Sequence, residues 1–453
     1  MSLLDREHTV AGPGYSRWLV PPAALAIHMC IGQVYGFSVF NLPLTRVLGV
    51  SKSAEGDWKL TSIALIFGVA IVFLGLAAAV FGTWLERVGP RKAMFAAACC
   101  FCGGLLVAAL GVKLHLFALV LGGYGVLGGI GLGLGYISPV STLIKWFPDR
   151  PGMATGMAIM GFGGGAMIGS PLAVNLMKYF SGPQSTGVAE TMLTMGLVYF
   201  VIMMFGVFSV RVAPAGWRPS GWSPKPASAQ KLVTAGDVTA ADAIRTPQFW
   251  CLWGVLFLNV SAGIGVLQMA SPIIQQTLGV GAAAAAGFVG LLSLFNMGGR
   301  FAWSSFSDKL GRKPTYNVYF ILGAVLYGLV PLAARIHSVP LFVATVCVII
   351  SMYGGGFATV PAYLRDLFGT LQVGAIHGRL LTAWSAAGVV GPLLINFMRD
   401  YQVAHGVNLA QSYNTTMYIL AGFLVAGLFC NLAVKPVEQR FWQQREPVLK
   451  AAA

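Results

Sequence analysis

Long apolar segments recur along this chain of 453 residues, and their number limits what the chain can fold into. A helix needs about 20 consecutive apolar residues to cross a bilayer. Twelve such segments lie near 18–42, 59–82, 93–112, 115–140, 153–179, 190–212, 247–275, 283–306, 314–335, 338–364, 377–398 and 412–434. The sequence therefore predicts an all-α integral membrane protein with twelve transmembrane helices, surrounded by a lipid bilayer.

Charged residues are too few to cover the surface of a soluble protein of this length. They make up 9% of the chain, against about 25% in an ordinary soluble domain. The formal net charge of +15 does not indicate a nucleic-acid partner, because Lys and Arg lie between the apolar segments and form no long basic run. The seven cysteines lie within apolar segments without zinc-type spacing, so neither a metal nor a cofactor is expected.

The apolar segments fall into two groups of six, separated by a stretch rich in Pro, Ser, Lys and Asp. We therefore divide the chain into an N-terminal six-helix half (1–212), a linker (213–246), a C-terminal six-helix half (247–435) and a tail (436–453). With both termini inside, 21 Lys and Arg lie on the inner side, seven on the outer side and one within a span. Because basic residues concentrate on the cytoplasmic side, we expect a multi-pass protein of the cell inner (plasma) membrane with cytoplasmic termini, linker and tail.

A short charged motif occurs at the same place in both halves, after the second and the eighth apolar segment. Each copy has an acid, a base, a glycine two residues further on and then an arginine. The glycine permits a tight turn, and the acid can pair with basic groups or helix ends and hold the inner side closed until the halves rock. Short charged loops also occur without such a role. The predicted gating residues are Gly82, Glu86, Arg87, Gly89 and Arg91, and Asp308, Lys309, Gly311 and Arg312.

Arg300 is the one basic residue inside a predicted span, and no Asp or Glu lies deep in any span. Burying an arginine there costs about 2.5–3.5 kcal/mol, so such a residue usually faces an internal cavity. An anion brought in from outside explains it best, because a guanidinium binds a carboxylate through two hydrogen bonds. Asn296, one helical turn earlier, can orient the guanidinium or donate to a substrate. Alternatively, Arg300 reaches the inner interface and Asn296 bonds a neighbouring helix.

Polar residues of the first span form a second candidate group. His28, Gly32 and Tyr35 share one helical face, and Gln33 lies close by. Tyr35 supplies a hydroxyl on an apolar body. His28 is a candidate for carrying a proton, because a histidine can change its charge near physiological pH. The alternative is a neutral, hydrogen-bonded core histidine.

Four further motifs carry a family resemblance. They are Trp146-Phe147-Pro148-Asp149-Arg150 with Gly152, Arg245-Thr246-Pro247-Gln248-Phe249-Trp250, Asn296-Met297-Gly298-Gly299-Arg300, and Asp366-Leu367-Phe368-Gly369. Together with the two charged motifs they resemble the oxalate/formate antiporter family, a branch of the major facilitator superfamily related to the monocarboxylate transporters. The resemblance runs from the first span to the last. It implies the major facilitator fold of two pseudo-symmetric halves, and membrane transport by alternating access.

The resemblance also implies which residues bind the substrate. Arg300 matches the family's substrate-binding arginine, and Tyr35 and Tyr136 match site tyrosines of the first and fourth helices. Aromatic positions of the fifth and tenth helices correspond to Phe162, Tyr353 and Phe357, where Phe162 and Phe357 replace tyrosines. Trp384 stands where the oxalate transporter has a lysine, so the second positive charge that faces a dianion is absent.

The charge balance favours a monoanion as substrate. One arginine and one carboxylate neutralise each other, whereas a dianion would leave a net negative charge in a low-dielectric cavity. We therefore predict a monomeric secondary transporter of small carboxylate anions, most simply a monocarboxylate such as lactate, pyruvate or formate. Proton symport would make the cycle electroneutral, with His28 or the substrate itself carrying the proton.

Three other functions remain open. The first is an oxalate:formate-type antiport, in which a protonated His28 would supply the missing positive charge. The second is a non-transporting membrane sensor that binds a carboxylate, although the tails are short and carry no recognisable signalling domain. The third is a membrane enzyme, which the sequence disfavours because it shows no nucleophile–base pair, metal cluster or phosphate loop.

Overall fold

The computed structural model of the protein describes residues 3–223, 232–234 and 236–443. Its long helical segments are Arg17–Leu44 (α1), Leu60–Val88 (α2), Pro90–Lys113 (α3), Phe117–Trp146 (α4), Pro151–Phe180 (α5), Val188–Ser209 (α6), Pro247–Leu278 (α7), Ala282–Leu310 (α8), Arg312–Arg335 (α9), Val339–Phe368 (α10), Val373–Ala404 (α11) and Asn414–Ala433 (α12). Within the described residues, eleven segments are long and apolar enough to cross a membrane. The remaining predicted span corresponds to α8. The predicted all-α membrane fold is confirmed.

The charged motifs end helices instead of forming loops, which corrects the sequence-based expectation. Glu86 lies in the last turn of α2, and Asp308 lies in the last turn of α8. A single glycine then separates each helix from the next, Gly89 with φ +85° and Gly311 with φ +93°. Side chains other than glycine rarely adopt this left-handed conformation. The two halves therefore repeat each other in backbone geometry as well as in sequence.

Three of the segments depart from regular α-helix. In α1, Val20–Ile31 is α-helical and Gly32–Phe40 has 3-10 geometry. In α4, Leu121–Gly128 is a π-helical stretch. In α11 the helix is interrupted at Leu381, between Val373–Leu380 and Thr382–Ala404. Tighter or wider turns change the face on which the following side chains lie, so regular helical spacing does not predict their directions.

The outer surface of the bundle is apolar, as the composition requires. Large side chains such as Val201 and Phe429 are about two-thirds exposed, at 69% and 67%. In a bilayer these side chains face the lipid tails. The helices satisfy their own backbone hydrogen bonds, which is what a segment in hydrocarbon must do.

The two halves meet along two helix pairs, α5 with α8 and α2 with α11. Small residues allow the close approach. Gly156 lies directly against Ser304, and Gly82 lies against Ala375. These contacts lie towards the end of the bundle that carries the charged turns, which is predicted to be cytoplasmic and is called here the inner end.

The beginning of the linker packs on the N-terminal half, where the Trp217 ring lies 4.7 Å from that of Trp146, and its end packs on the C-terminal half. The backbone N–H of Thr234 donates to Asp366 O at 2.8 Å, and that of Val238 donates to Phe368 O at 2.9 Å. Asp237 accepts a hydrogen bond from the backbone of Thr370. Residues 224–231 and 235 of the predicted linker and 444–453 of the predicted tail lie outside the described residues. The domain limits stay a prediction.

Candidate functional site

Arg300 lies at the centre of the bundle, on α8, with no exposed surface. Its Nε donates to Asn296 Oδ1 at 3.1 Å, one turn earlier on the same helix. Its Nη1 and Nη2 atoms have no hydrogen-bond partner among the described residues. A buried polar group without a partner costs free energy, and a charged one costs most. The site therefore holds a charged hydrogen-bond donor that the described protein groups leave unsatisfied.

Aromatic rings from both halves surround this guanidinium. The Arg300 Cζ atom lies 5.8 Å from the ring centre of Phe162 and 5.3 Å from that of Phe357. Trp384 packs against both rings, at centroid distances of 5.4 and 4.7 Å. Rings at such distances stabilise a cation and exclude water. They give the site a low dielectric, in which a charge pair is strong.

Two tyrosines join the halves on the outer side of this ring cluster. The Tyr35 hydroxyl on α1 lies 3.1 Å from the Tyr353 hydroxyl on α10. Tyr35 also packs on Phe162 at 5.1 Å, and Tyr353 packs on Phe357 at 5.3 Å. Since α1 runs outwards and α10 runs inwards in the predicted topology, this hydrogen bond lies between Arg300 and the outer side.

Tyr136 and Trp384 bring further unsatisfied donors to the site. Both side chains are fully buried, and their rings lie 5.3 Å apart. Among the described residues, neither the Tyr136 hydroxyl nor the Trp384 Nε1 atom has a hydrogen-bond partner. The sequence left open whether Trp384 lines the cavity or packs on lipid. Its contacts place it between the halves, against the residues around Arg300.

Gln33 is not brought together with the other predicted site residues. It is buried inside the N-terminal half, where its Oε1 accepts a hydrogen bond from the Tyr124 hydroxyl at 3.1 Å. Its side chain packs against Gly169 and away from Arg300. Gln33 is one residue beyond Gly32, which is about 100° around a helix, so its side chain leaves the face that His28, Gly32 and Tyr35 share.

His28 is buried with both ring nitrogens facing backbone carbonyl oxygens. Its Nδ1 lies against Ala158 O on α5, and its Nε2 lies 3.1 Å from Tyr136 O on α4. Its ring also contacts the Tyr136 ring at 5.3 Å. The imidazole thus connects three helices of the N-terminal half next to the site.

A second buried histidine, His377, was missed by the sequence analysis. It lies on α11, is 1% exposed, and packs its ring 5.8 Å from that of Tyr136. The predicted eleventh span begins at this residue, so His377 was read as part of a helix end. The interrupted helix extends further inwards and places His377 in the interior.

The acids of the two charged motifs bind helix N-termini of the opposite half. Glu86 Oε1 accepts from the backbone N–H of Gly374 at 3.0 Å, and its Oε2 pairs with Lys145 at 2.7 Å. Asp308 accepts from the backbone N–H groups of Gly152 and Met153 at 2.8 and 2.9 Å. A carboxylate at a helix N-terminus is favourable because of the helix dipole. These contacts hold α2 to α11 and α8 to α5 at the inner end.

The basic residues of the motifs differ in their surroundings. Arg312 pairs with Asp308 at 2.6 Å and with Asp366 at 3.0 Å. Arg91 donates to Leu3 O and to carbonyl oxygens at the end of α6, all within the N-terminal half. Arg87 and Lys309 are exposed.

Comparison with known proteins gives three findings. Residues 23–392 match the sequence profile of the family described as the Major Facilitator Superfamily. The oxalate:formate antiporter of Oxalobacter formigenes is 28% identical over 379 residues, which is 83% of each chain. The apicoplast pyruvate carrier 1 of Toxoplasma gondii is 24% identical over 505 residues, covering 91% of this chain and 88% of that one.

The fold also matches a solved structure. The crystal structure of the transporter FucP in the outward conformation aligns with a TM-score of 0.65, covering 93% of this chain and all of that one. The two sequences are 12% identical, so this likeness concerns the fold alone.

Proposed function

The chain belongs to the major facilitator superfamily, and from that premise we propose that it transports a small monocarboxylate anion, such as lactate, pyruvate or formate, together with a proton. The observation that carries the proposal is the buried Arg300 guanidinium, whose two Nη groups have no partner among the described residues. A carboxylate accepts two parallel hydrogen bonds from this fork. The ligand would thus offset the cost of the buried charge.

The charge and the donors of the site support a monoanion. Among the described residues, no carboxylate forms an ion pair with Arg300, so the site has one fixed positive charge. The Tyr136 hydroxyl and the Trp384 Nε1 add neutral donors that suit further oxygen atoms of the same ligand. A dianion would lack a second cation there, because Trp384 carries no charge.

The names of two relatives agree with this substrate class. One relative is called an oxalate:formate antiporter and another a pyruvate carrier, and both names denote small carboxylates. An oxalate:formate-type exchange is the second candidate function. The missing lysine at position 384 speaks against it, and a histidine that is already protonated before the anion binds would speak for it.

Contacts on both sides of the site support the proposal of alternating access. The Tyr35–Tyr353 hydrogen bond separates Arg300 from the outer side. The Glu86 and Asp308 contacts hold the inner ends of the halves together. When the anion neutralises Arg300, the halves can close over it and then part at the inner end. We expect the carrier to act as a monomer in the plasma membrane with both termini in the cytoplasm.

The first test is uptake of labelled lactate and oxalate into proteoliposomes with an inward proton gradient, with and without formate or oxalate inside. We expect lactate uptake driven by the gradient alone. Oxalate uptake that needs a preloaded counter-anion would mean obligatory exchange and would overturn symport.

The role of Arg300 is tested by substitution. We expect Arg300→Lys to reduce lactate uptake at least about 10-fold, because a single ammonium replaces the guanidinium fork. Arg300→Ala should abolish uptake. Arg335→Lys, at an exposed arginine on the outer end of α9, is the matched control. Full activity of either Arg300 variant would refute the proposal.

A further inference from the structure

The inner side of the site contains an imidazole without partners. His377 is 1% exposed, and among the described residues neither its Nδ1 nor its Nε2 has a hydrogen-bond partner. A neutral imidazole has one donor and one acceptor, and leaving such a buried group unsatisfied costs about 1–3 kcal/mol. The closed state therefore keeps at this position a base whose two nitrogens are both available.

His377 lies between the site and the inner contacts. It is seven residues before Trp384, about 10 Å along a helix, and three residues after Gly374, whose N–H binds Glu86. Its ring packs on Tyr136, and the Tyr136 ring packs on Trp384. A carboxylate that leaves Arg300 towards the inner end passes this position.

His28 is a second buried imidazole near the site, but its surroundings differ from those of His377. Both of its ring nitrogens face backbone carbonyl oxygens, of Ala158 and Tyr136. A neutral ring can donate to one of them only, so a proton gained by His28 would form a second hydrogen bond inside the N-terminal half. Neither N–H of that ring would be left for a ligand.

We propose that His377 takes up the proton that accompanies the carboxylate. The inference rests on the proposed function and names the residue for its proton. A carboxylate bound at Arg300 adds a negative charge to the low-dielectric interior beside Tyr136, and this charge favours a positive charge at His377. A free ring nitrogen of His377 can then bind a proton from water. By thermodynamic linkage, a proton on His377 raises the affinity for the anion by the same factor by which the bound anion raises the affinity of His377 for the proton.

The other charged groups near His377 are already paired or point away. Glu86 on α2 binds both Lys145 on α4 and the N-terminus of α11, so this set adds little net charge. Arg379 on α11 donates to Ala240 O in the linker. The other elements packed around His377 carry Tyr136 on α4, Asp366 on α10, which pairs with Arg312 and Arg365, and Asp242 of the short linker helix Ala240–Ala243, which pairs with Arg245. His28 on α1 lies close enough to act on His377 electrostatically. α7 carries no charged residue.

The test is calorimetric binding of lactate and of formate to the purified full chain, in buffers with different ionisation enthalpies. The difference between buffers gives the number of protons taken up per bound anion. At a pH between the pKa of His377 without the anion and its pKa with the anion bound, we expect about one proton for the wild type. His377→Gln keeps a hydrogen-bonding side chain that cannot be protonated, so it should bind the anion with no proton uptake. His28→Gln tests the alternative site, and His405→Gln, at an exposed histidine, is the matched control.

The outcomes separate this inference from the proposed function. If His377→Gln and the wild type take up the same number of protons, or if the wild type takes up none, the inference is overturned and carboxylate transport stands. If the wild type binds no carboxylate at any pH, the proposed function fails first. His377→Asn is the second variant, should His377→Gln not fold. Loss of all binding in a folded variant would assign His377 to the anion and overturn the assignment to the proton.

Discussion

The hydrogen bond from Arg300 Nε to Asn296 Oδ1 decides which face of the guanidinium is offered to a ligand. It uses the one N–H that points back along α8 and leaves both Nη groups directed away from the helix. A guanidinium held in this way loses little conformational freedom when a carboxylate binds. Gly163 and Gly354 lie against the Arg300 side chain and leave no room for it to turn aside.

At the residue scale, Trp384 is expected to set the charge of the substrate. Trp384→Lys places a second cation among the rings that surround Arg300. We expect the ratio of oxalate to lactate binding to rise at least about 10-fold, because two cations can then neutralise a dianion. The measurement is calorimetric binding of both anions to one preparation.

Trp384→Phe is the control for this substitution, since it keeps a ring and adds no charge. It should leave the ratio near that of the wild type. An unchanged ratio in Trp384→Lys would show that position 384 does not govern the choice between monoanion and dianion.

A functional residue can be predicted from the sequence when its side chain contrasts with the residues next to it in the chain. It is missed when only the folded structure shows that its side chain is buried. Arg300 is conspicuous because a charge interrupts an apolar segment. His377 lies at the predicted limit of a span, where a histidine is unremarkable. Its burial depends on the inner extension of α11. Gln33 was expected at the site from its neighbours in sequence, but it lies off the helical face of Gly32 and Tyr35 and bonds to Tyr124 inside the N-terminal half.

At the scale of elements, the Tyr35–Tyr353 hydrogen bond couples α1 to α10 on the outer side of the site. We expect Tyr35→Phe and Tyr353→Phe each to speed the release of a bound anion to the outside, since each removes the same contact. The coupling energy between the two sites should be about 0.5–1.5 kcal/mol.

This expectation is measured by a double-mutant cycle on dissociation rates in proteoliposomes. Tyr327→Phe is the control, because its hydroxyl donates to Ala262 O within the C-terminal half. Additive effects of the two substitutions would mean that the hydroxyls do not act as a pair.

Helix limits follow from the sequence less well than helix number does. Apolar length predicts the spans, because the bilayer requires it. It does not predict that α2 and α8 continue through their charged last turns, since those turns lie beyond the hydrocarbon. Gly89 and Gly311 then end the helices sharply, and this places Glu86 and Asp308 at fixed points opposite the N-termini of α11 and α5.

At the scale of the whole molecule, the contacts of Glu86 and Asp308 are expected to set an equilibrium. In one state the two halves touch at the inner end, and in the other state they have parted there. Asp308→Asn removes the charge that binds the N-terminus of α5 and pairs with Arg312. We expect the inner end to open more often. The readout is a cysteine introduced as Ser141→Cys, beside Gly374. It should react several-fold faster with a water-soluble maleimide in the Asp308→Asn variant than in the protein that keeps Asp308.

The comparison for this experiment is Asp400→Asn, which removes a carboxylate at the outer end of α11 and should leave the labelling rate unchanged. The same rate in both variants would mean that the Asp308 contact does not hold the halves together. Reduced labelling would mean that the contact stabilises the open state.

The Tyr35–Tyr353 bond and the inner contacts of Glu86 and Asp308 are formed at the same time. A pathway closed at both ends offers no continuous file of water through the bilayer. Ions therefore cannot run through it down the membrane voltage, and the resting carrier adds no electrical conductance. A cell can hold many copies of such a protein in an energised membrane and keep its voltage, because in the proposed cycle a monoanion crosses only from a loaded site and together with a proton, so no net charge moves.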